Sequence, residues 1–259
     1  MTLPAVGQGH VVNSNYFGGD SDRLPEIVLR DPRLQKFNLG IHVGLDIGAA
    51  VPWGSNGSVL SGGDKINATP KLTPALGFSG EWRFNWRWSA VVEATYKTVA
   101  LDASILTMGS GQKFQDEGLD VIFYGKAKTS MSFTMFEFPL YVKYRIGRNN
   151  RVYLGGYYAH IVNGKFDATA YNGRLENPEQ PDDIQIVHPS DPLSQDFSQN
   201  LRHHDAGWLV GYERRLLDRL TLAGRFSMGL LDIFKPGENY LEYKMLNMRG
   251  TVMLSYKFL

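Results

Sequence analysis

The sequence predicts an all-β fold, an eight-stranded antiparallel up-and-down transmembrane β-barrel whose polar lumen is filled by side chains. Three observations predict it. Large apolar side chains recur at every second position in eight stretches, as in strands with one apolar face. The 28 glycines fall mostly within or between these stretches, where a helical protein would avoid them. Short and long connections alternate along the chain, which places every short turn at one end of a meander.

The first four predicted strands cover residues 37–51, 72–84, 86–99 and 135–146. The first, FNLGIHVGLDIGAAV, sets large apolar residues against small or polar ones without a break. The next three repeat the pattern with charges on the polar face, at Glu81, Arg83, Glu93, Lys97, Glu137, Lys143 and Arg145.

The last four predicted strands cover 152–162, 205–215, 220–230 and 246–258. The first of these is irregular, because Gly155-Gly156-Tyr157-Tyr158 interrupts the alternation. Tight turns are predicted near Asn85, at 147–150 and at 217–218. The predicted long loops cover roughly 52–71, 100–130, 163–204 and 232–243.

Residues 1–34 have no sustained helical or strand period and are rich in Gly, Asn, Asp, Arg and Pro. We expect them to form an irregular N-terminal periplasmic extension, with the barrel over 35–259. The first residues lack the basic and apolar segments of a signal peptide, so we expect an exported form whose signal was processed or omitted.

Composition excludes several classes of partner and site. With 27 basic and 26 acidic residues, the chain has no global charge to recruit nucleic acid. The absence of cysteine excludes disulfides, thiolate nucleophiles and cysteine metal sites. The sequence contains no apolar run of about 18 residues, so no transmembrane helix is predicted. No motif predicts a cofactor.

Alternation alone does not show which face meets water, since a soluble barrel points its apolar face inward and a membrane barrel points it outward. The polar face mixes glycine with charges of both signs, as a crowded lumen of paired charges requires. The predicted lumen charge network comprises His42, Asp46, Glu81, Arg83, Glu93, Lys97, Glu137, Lys143, Arg145, Glu213, Arg215, Arg225, Arg249 and Lys257.

Aromatic residues cluster at strand ends, as the two interfacial girdles of a membrane barrel require. The predicted girdle comprises Trp53, Trp82, Trp86, Trp88, Tyr144, Trp208, Tyr212, Tyr256 and Phe258. Long polar loops at one end and tight turns at the other are typical of β-barrels in the outer membrane of a Gram-negative bacterium. A soluble lipocalin-type barrel also has unequal loops and stays the alternative.

An eight-stranded barrel has an interior just wide enough for its own side chains. The charged lumen residues are therefore expected to pair as a buried ion network, which argues against a general diffusion channel.

Several strands resemble those of the PorT-like, porin-family outer-membrane β-barrel proteins of the Bacteroidota. The resembling stretches are KFNLGIHVGLDIG, FEFPLYVKYRIG, DAGWLVGYERRL, LTLAGRFSMGLLDIF and the terminal LSYKFL, within residues 36–259. The resemblance implies an outer-membrane location, a processed signal peptide and recognition of the last strand by the barrel assembly machinery.

Two polar segments contain residue types that bind metal ions or act as a general base. RHHD, at 202–205, contains two histidines beside an aspartate, but neighbours on an extended chain point to opposite sides, so a solvated loop edge is favoured over a metal site. His42, two pleats from Asp46, has the type of a general base, although a place in the ion network is favoured. No catalytic, cofactor-binding or metal-binding residue is predicted.

The leading hypothesis is a non-enzymatic outer-membrane barrel with a structural or accessory role, which contacts a partner through its long loops or N-terminal segment. A narrow channel or small-ligand carrier is the first alternative, and a lipid-modifying outer-membrane enzyme, a hydrolase or acyltransferase, is the second. The expected partners are outer-membrane lipid and lipopolysaccharide, the barrel assembly machinery during insertion, and a protein of the envelope.

Overall fold

In the described residues, ten strands form one antiparallel sheet that closes on itself. The computed structural model describes residues 36–53, 65–116, 119–177, 180–236 and 244–258. The strands are β1 (Phe37–Trp53), β2 (Lys65–Arg83), β3 (Trp88–Asp116), β4 (Leu119–Ile146), β5 (Asn150–Asn177), β6 (Gln180–Val187), β7 (Leu193–Asp196), β8 (His204–Arg215), β9 (Leu220–Asp232) and β10 (Lys244–Lys257). Within these ranges no α-helix is long and apolar enough to cross a bilayer.

Eight of the strands make a closed ring in the order β1, β2, β3, β4, β5, β8, β9, β10. The ring closes where β1 pairs with β10, from Gly40 opposite Lys257 to Trp53 opposite Lys244. β6 and β7 lie outside the ring and pair with the far part of β5. The predicted all-β class and eight-stranded antiparallel barrel are confirmed.

Four ring strands are longer than predicted, and this corrects three of the predicted long loops, since β2 already begins at Lys65 within the predicted loop 52–71. Residues 100–107 of β3 pair with 125–132 of β4, where the sequence predicts a loop over 100–130. Residues 163–176 of β5 likewise pair with β4, within the predicted loop 163–204. Large apolar residues stop recurring on the outward face there, so the barrel-type pattern ends although the strands do not.

The third strand begins later than predicted. Trp86 lies in the turn between β2 and β3, because the Asn85 side-chain oxygen accepts hydrogen bonds from the backbone N–H groups of Arg87 (2.8 Å) and Trp88 (2.9 Å). An asparagine of this kind fixes a turn locally. The predicted extension 1–34 and the side chain of Trp53 lie outside the described residues.

Over its short-turn half, the wall of the ring is apolar outside and polar inside. In β4, Leu140 and Val142 point outward, and Leu140 is 63% exposed. Glu137 and Lys143 on the opposite face are buried. This orientation is that of a membrane barrel and the reverse of a soluble one.

The polarity reverses partway along the long strands, without a change of phase in β3 and β4. Toward the long-loop end of β4, the inward residues become Phe133 and Met131, which are buried, and serine occupies 132 and 130 on the outward face. β3 changes at the same level, marked by a 3.1 Å contact between the hydroxyl oxygens of Thr98 and Thr134.

Beyond this level the strands form a sheet with an apolar inner face and a mostly polar outer face, which we call the projecting sheet. It comprises residues 65–71 of β2, 99–116 of β3, 119–134 of β4 and 163–177 of β5, with β6 and β7. Its buried inner face carries Val99, Leu101, Ala103, Phe123, Ala127, Met131, Phe133, Phe166, Ala168, Ala170, Leu175 and Val187, and Phe197, Leu201, Ile233, Phe234 and Met245 join the same core.

Candidate functional site

The candidate site is the charged interior of the ring at the level of the apolar wall. Of the predicted network, the following residues are buried there: His42, Asp46, Glu81, Arg83, Glu93, Lys97, Glu137, Lys143, Glu213, Arg225, Arg249 and Lys257. Arg145 and Arg215 are instead half-exposed at the short-turn mouth, where the guanidinium of Arg215 donates to the Arg148 carbonyl at 2.7 Å. The buried groups form three layers along the barrel axis.

The layer nearest the short turns is built around two glutamates from β2 and β8. Glu81 pairs with Lys257, and Glu213 pairs with Lys143. Arg151 lies between them, with its Nη1 atom 2.8 Å from Glu213 Oε1 and 3.8 Å from Glu81 Oε2. Two carboxylates and three cations therefore share one buried cluster, which carries a net positive charge.

The middle layer joins strands on opposite sides of the ring. Arg225 of β9 places Nη2 2.7 Å from Glu93 Oε2 of β3, and four steps around the ring separate these strands in either direction. Tyr141 donates its hydroxyl to the same glutamate. His42 lies beside this pair, with Nε2 2.9 Å from the hydroxyl oxygen of Thr95.

The third layer lies just below the apolar core of the projecting sheet. Glu137 of β4 receives Arg249 of β10 at 2.6 Å and Lys97 at 2.9 Å. β4 and β10 are also four steps apart, so this ion pair is a second one that spans the full diameter. Asp46 accepts the Thr251 hydroxyl at 2.6 Å and lies 3.4 Å from the Lys97 ammonium.

Glycines on the inner wall make room for these side chains. Gly77 lies opposite His42 in the β1–β2 ladder, and a Cβ atom there would come within 2.5 Å of His42 Nε2 and of the Ala94 carbonyl oxygen. A side chain at this position would displace the ring of His42. The glycines of the polar face thus accommodate the long or flat groups across from them.

Sequence reasoning missed Arg151 and Asp205. Arg151 lies between the predicted turn at 147–150 and the predicted strand that starts at 152, so the pattern assigns it to neither face of the barrel wall. Asp205 begins the predicted strand 205–215 on its polar face, but it is absent from the predicted network because RHHD favours a solvated loop edge. In the structure it is buried and accepts hydrogen bonds from the Tyr157 hydroxyl (2.9 Å) and the Asn247 amide (3.0 Å). The alternation of β8 was the available signal, since it places Asp205 on the polar face.

The RHHD residues diverge. His204 is exposed, and its Nδ1 lies 2.6 Å from the hydroxyl oxygen of Tyr158. The expected solvated loop edge is wrong for Asp205, which points into the lumen as its strand position dictates. Over the described ranges, no cluster of three or more His, Asp or Glu side chains is placed to hold a metal ion.

The hydrogen bonds of the candidate histidines do not form a catalytic triad within the part of the chain that the structure describes. His42 contacts Thr95, and His204 contacts Tyr158. A serine nucleophile would need a base within about 2.6–3.2 Å and a carboxylate behind it. The chemistry this arrangement does support is the mutual neutralisation of charges across a narrow barrel.

The predicted girdle residues other than Trp53 lie on the outside of the ring. Trp82, Trp86, Trp88, Tyr212, Tyr256 and Phe258 are exposed near the short turns. Trp88 and Tyr144 pack across the β3–β4 ladder with ring centroids 4.7 Å apart. Toward the long-loop end, Trp208 packs on Phe226 at 5.6 Å.

Comparisons with known proteins agree with this architecture. Residues 21–235 match the family described as outer membrane protein beta-barrel domain. No curated protein matches the sequence.

Three solved structures are among those similar to the chain. Ail, the attachment invasion locus protein of Yersinia pestis, is 11% identical over 86% of this chain and 100% of its own, with a TM-score of 0.36. Neisserial surface protein A is 11% identical over 86% and 98%, with a TM-score of 0.33. OprG of Pseudomonas aeruginosa is 14% identical over 85% and 95%, with a TM-score of 0.34. These likenesses carry no information on the chemistry of the lumen.

Proposed function

The chain belongs to the outer membrane protein beta-barrel domain family, and on this premise we propose that it is a non-enzymatic accessory barrel that binds an envelope partner through its projecting sheet. The observation that carries the proposal is the reversal of polarity in β3 and β4 at Thr98 and Thr134. Strands that span a membrane have no need to continue beyond it. Here they continue as a packed sheet with a buried apolar inner face.

A sheet of this kind presents a shaped surface rather than a mobile loop. Its outward residues include Asp102, which accepts hydrogen bonds from Lys71 at 2.8 Å and from the Ser130 hydroxyl at 3.0 Å. Burial of the inner face fixes which side chains point outward. Surfaces held by a rigid scaffold are where binding residues concentrate, and this supports a partner-binding role.

The two ion pairs that cross the barrel support a closed interior. Glu93–Arg225 and Glu137–Arg249 occupy the width of the ring at two levels. A path for a solute would have to break at least one buried pair, and an isolated buried charge is costly. The alternative of a narrow channel or ligand carrier therefore receives less support than partner binding.

Photo-crosslinking in cells tests the proposal. A photoreactive residue at Ser104 or Lys126, both exposed on the projecting sheet, is expected to give a discrete protein adduct. The same residue at Val92 or Leu140, on the apolar wall, is expected to give lipid adducts alone. Protein adducts confined to the wall positions, or absent from both sheet positions, would contradict the proposal.

We further propose that the protein resides in the outer membrane of a Gram-negative bacterium and belongs to the PorT-like, porin-family group of the Bacteroidota, with its projecting sheet on the lipopolysaccharide side. The strand stretches KFNLGIHVGLDIG and FEFPLYVKYRIG support this placement. The chain has no cysteine, so Ser104→Cys on the projecting sheet is expected to react with a membrane-impermeant maleimide on intact cells, and Arg148→Cys on a short turn is expected to stay unlabelled. Labelling of Arg148→Cys alone would contradict this orientation.

A further inference from the structure

The short-turn end of the barrel contains a cleft of about 960 Å³ that none of the preceding roles uses. It lies between three turns, at 84–87, 147–149 and 216–219. Its lining includes four arginines and two aromatic residues, Arg87, Arg145, Arg148, Arg215, Trp86 and Tyr144. The aspartate at 218 is the acidic residue of the lining.

Arg145 is half-buried, unlike Arg87 and Arg148, and has cationic neighbours. It lies directly opposite Arg151 in the β4–β5 ladder, and like charges in that position repel. Arg83 and Arg215 also act on it as like charges. In the part of the chain that the structure describes, its guanidinium makes no ion pair with a carboxylate.

The nearby carboxylates are already engaged by other cations. Glu81 pairs with Lys257, and Glu213 pairs with Lys143 and Arg151. Glu81 still acts on Arg145 as an opposite charge, but it forms no ion pair with Arg145. A half-buried guanidinium in a cationic environment needs an opposite charge, and the cleft provides the space for one.

The other donors are held so that they face the cleft. The Arg87 guanidinium stacks on Trp86 at 4.3 Å from the ring centroid, and the backbone carbonyl of Arg87 accepts a hydrogen bond from the backbone N–H of Arg145 at 2.9 Å. The Arg215 guanidinium donates a hydrogen bond to the Arg148 carbonyl, and this bond connects two of the three turns. Planar guanidinium groups bind phosphate through paired hydrogen bonds.

We infer that this cleft binds a phosphate group, with Arg145 as the inner donor and Arg87 as the outer one. Trp86 and Tyr144 belong to the aromatic girdle at this end, which sets the cleft at the depth of lipid headgroups. A phospholipid headgroup and a soluble phosphate compound share the required chemistry. This inference does not depend on the projecting sheet or its partner.

Calorimetric titration with inorganic pyrophosphate tests the shared chemistry. The full chain, folded in an uncharged maltoside detergent at low salt, is expected to bind pyrophosphate, and Arg145→Gln is expected to weaken binding roughly tenfold or more, as loss of a charged hydrogen bond implies. Arg219→Gln is the matched control, because Arg219 is exposed on the same group of turns but does not line the cleft. Its affinity is expected to stay within about twofold, since its charge acts only through solvent.

A second variant and a lipid arm complete the test. Arg87 lies on an exposed turn, so Arg87→Gln is expected to fold. It therefore still tests the cleft if Arg145→Gln fails to fold. Native mass spectrometry with phosphatidylglycerol and with a phosphate-free glycolipid distinguishes the two sources. Retention of phosphatidylglycerol that Arg87→Gln abolishes identifies a headgroup site, and pyrophosphate binding without lipid retention identifies a soluble ligand. Equal binding by the wild type and both cleft variants would overturn the inference.

Discussion

Ion pairs between single side chains fill the lumen of this barrel. Arg225 and Glu93 meet from opposite strands, and Arg249 and Glu137 do the same one layer away. Pairs this deeply buried gain little in net stability, since desolvation offsets much of the attraction. Their removal one partner at a time is a different matter, because the surviving charge then has neither water nor a counterion.

The Glu93–Arg225 pair provides a double-mutant test at the residue scale. Glu93→Gln and Arg225→Gln are each expected to lower the free energy of unfolding by about 3–5 kcal/mol. The double variant is expected to lose less than the sum, because no isolated charge is left. Urea unfolding in lipid vesicles measures all three.

The exposed pair of Lys71 and Asp102 is the control for this cycle, since both side chains are about half exposed. Asp102→Asn is expected to leave the urea midpoint unchanged, as for most surface ion pairs. Strictly additive losses for the Glu93 and Arg225 variants would show that the two side chains do not interact across the lumen.

Gly77 provides the second residue-scale prediction. Gly77→Ala is expected to cost about 1–3 kcal/mol, because the new methyl group would overlap His42 and a strand carbonyl. Gly224→Ala is the matched control, since a Cβ atom there meets nothing within 4 Å. The same urea assay compares them, and an equal response of both variants would refute a packing role for Gly77.

At the scale of elements, β3 and β4 each contain two environments along one alternating pattern. Val92 faces outward from the apolar wall, and Ser104 faces outward from the projecting sheet of the same strand. The ladders also shift register near the boundary, at Lys71/Ala75 between β2 and β3 and at Thr134/Met135 between β4 and β5. Such bulges re-aim a strand where its surroundings change.

A lysine scan along β3 locates the boundary. Val92→Lys is expected to cost about 2–4 kcal/mol, because it places a charge against acyl chains. Ser104→Lys is expected to cost close to nothing, because that position faces water. Urea unfolding in vesicles reports both, and similar costs at the two positions would mean that β3 meets one environment throughout.

The sequence pattern was sufficient for the ring and insufficient for the projecting sheet. Strong alternation of large apolar and charged residues located all eight ring strands, because burial against lipid and burial in the lumen select opposite residue types. Beyond Thr98 the outward face loses its apolar residues, so the alternation weakens. In β5 the bulge near Ile161 also breaks the period, so the inward positions change from odd to even numbers.

The partners within the lumen were beyond sequence reasoning for a geometric reason. Alternation assigns a residue to the polar face, but not to a partner on the far side of the ring. Glu137 and Arg249 are separated by 112 positions, and their contact depends on strand tilt and stagger around the whole barrel. Asp205 shows the complementary error, since its chain neighbours suggested a loop while its strand position sets its burial.

At the scale of the whole molecule, a closed ring with ion pairs across its diameter predicts very low conductance. In planar bilayers, single-channel recordings of the purified protein are expected to stay at baseline. Glu93→Gln with Arg225→Gln removes one cross-lumen pair and is expected to raise conductance more than Asp102→Asn on the projecting sheet. Open events of constant size in the wild-type protein would favour the channel alternative.

The seam between β1 and β10 has a consequence for biogenesis. Asp46 and Thr251, which are bonded across this seam, lie 205 positions apart in the chain. Closure of the ring therefore requires a chain that contains both its first and its last ring strand. Without β10, β1 and β9 would each have an edge of unsatisfied backbone groups, and such edges cannot face hydrocarbon. Truncation of the chain before Lys244 would remove β10, and the ring could then no longer close in the membrane.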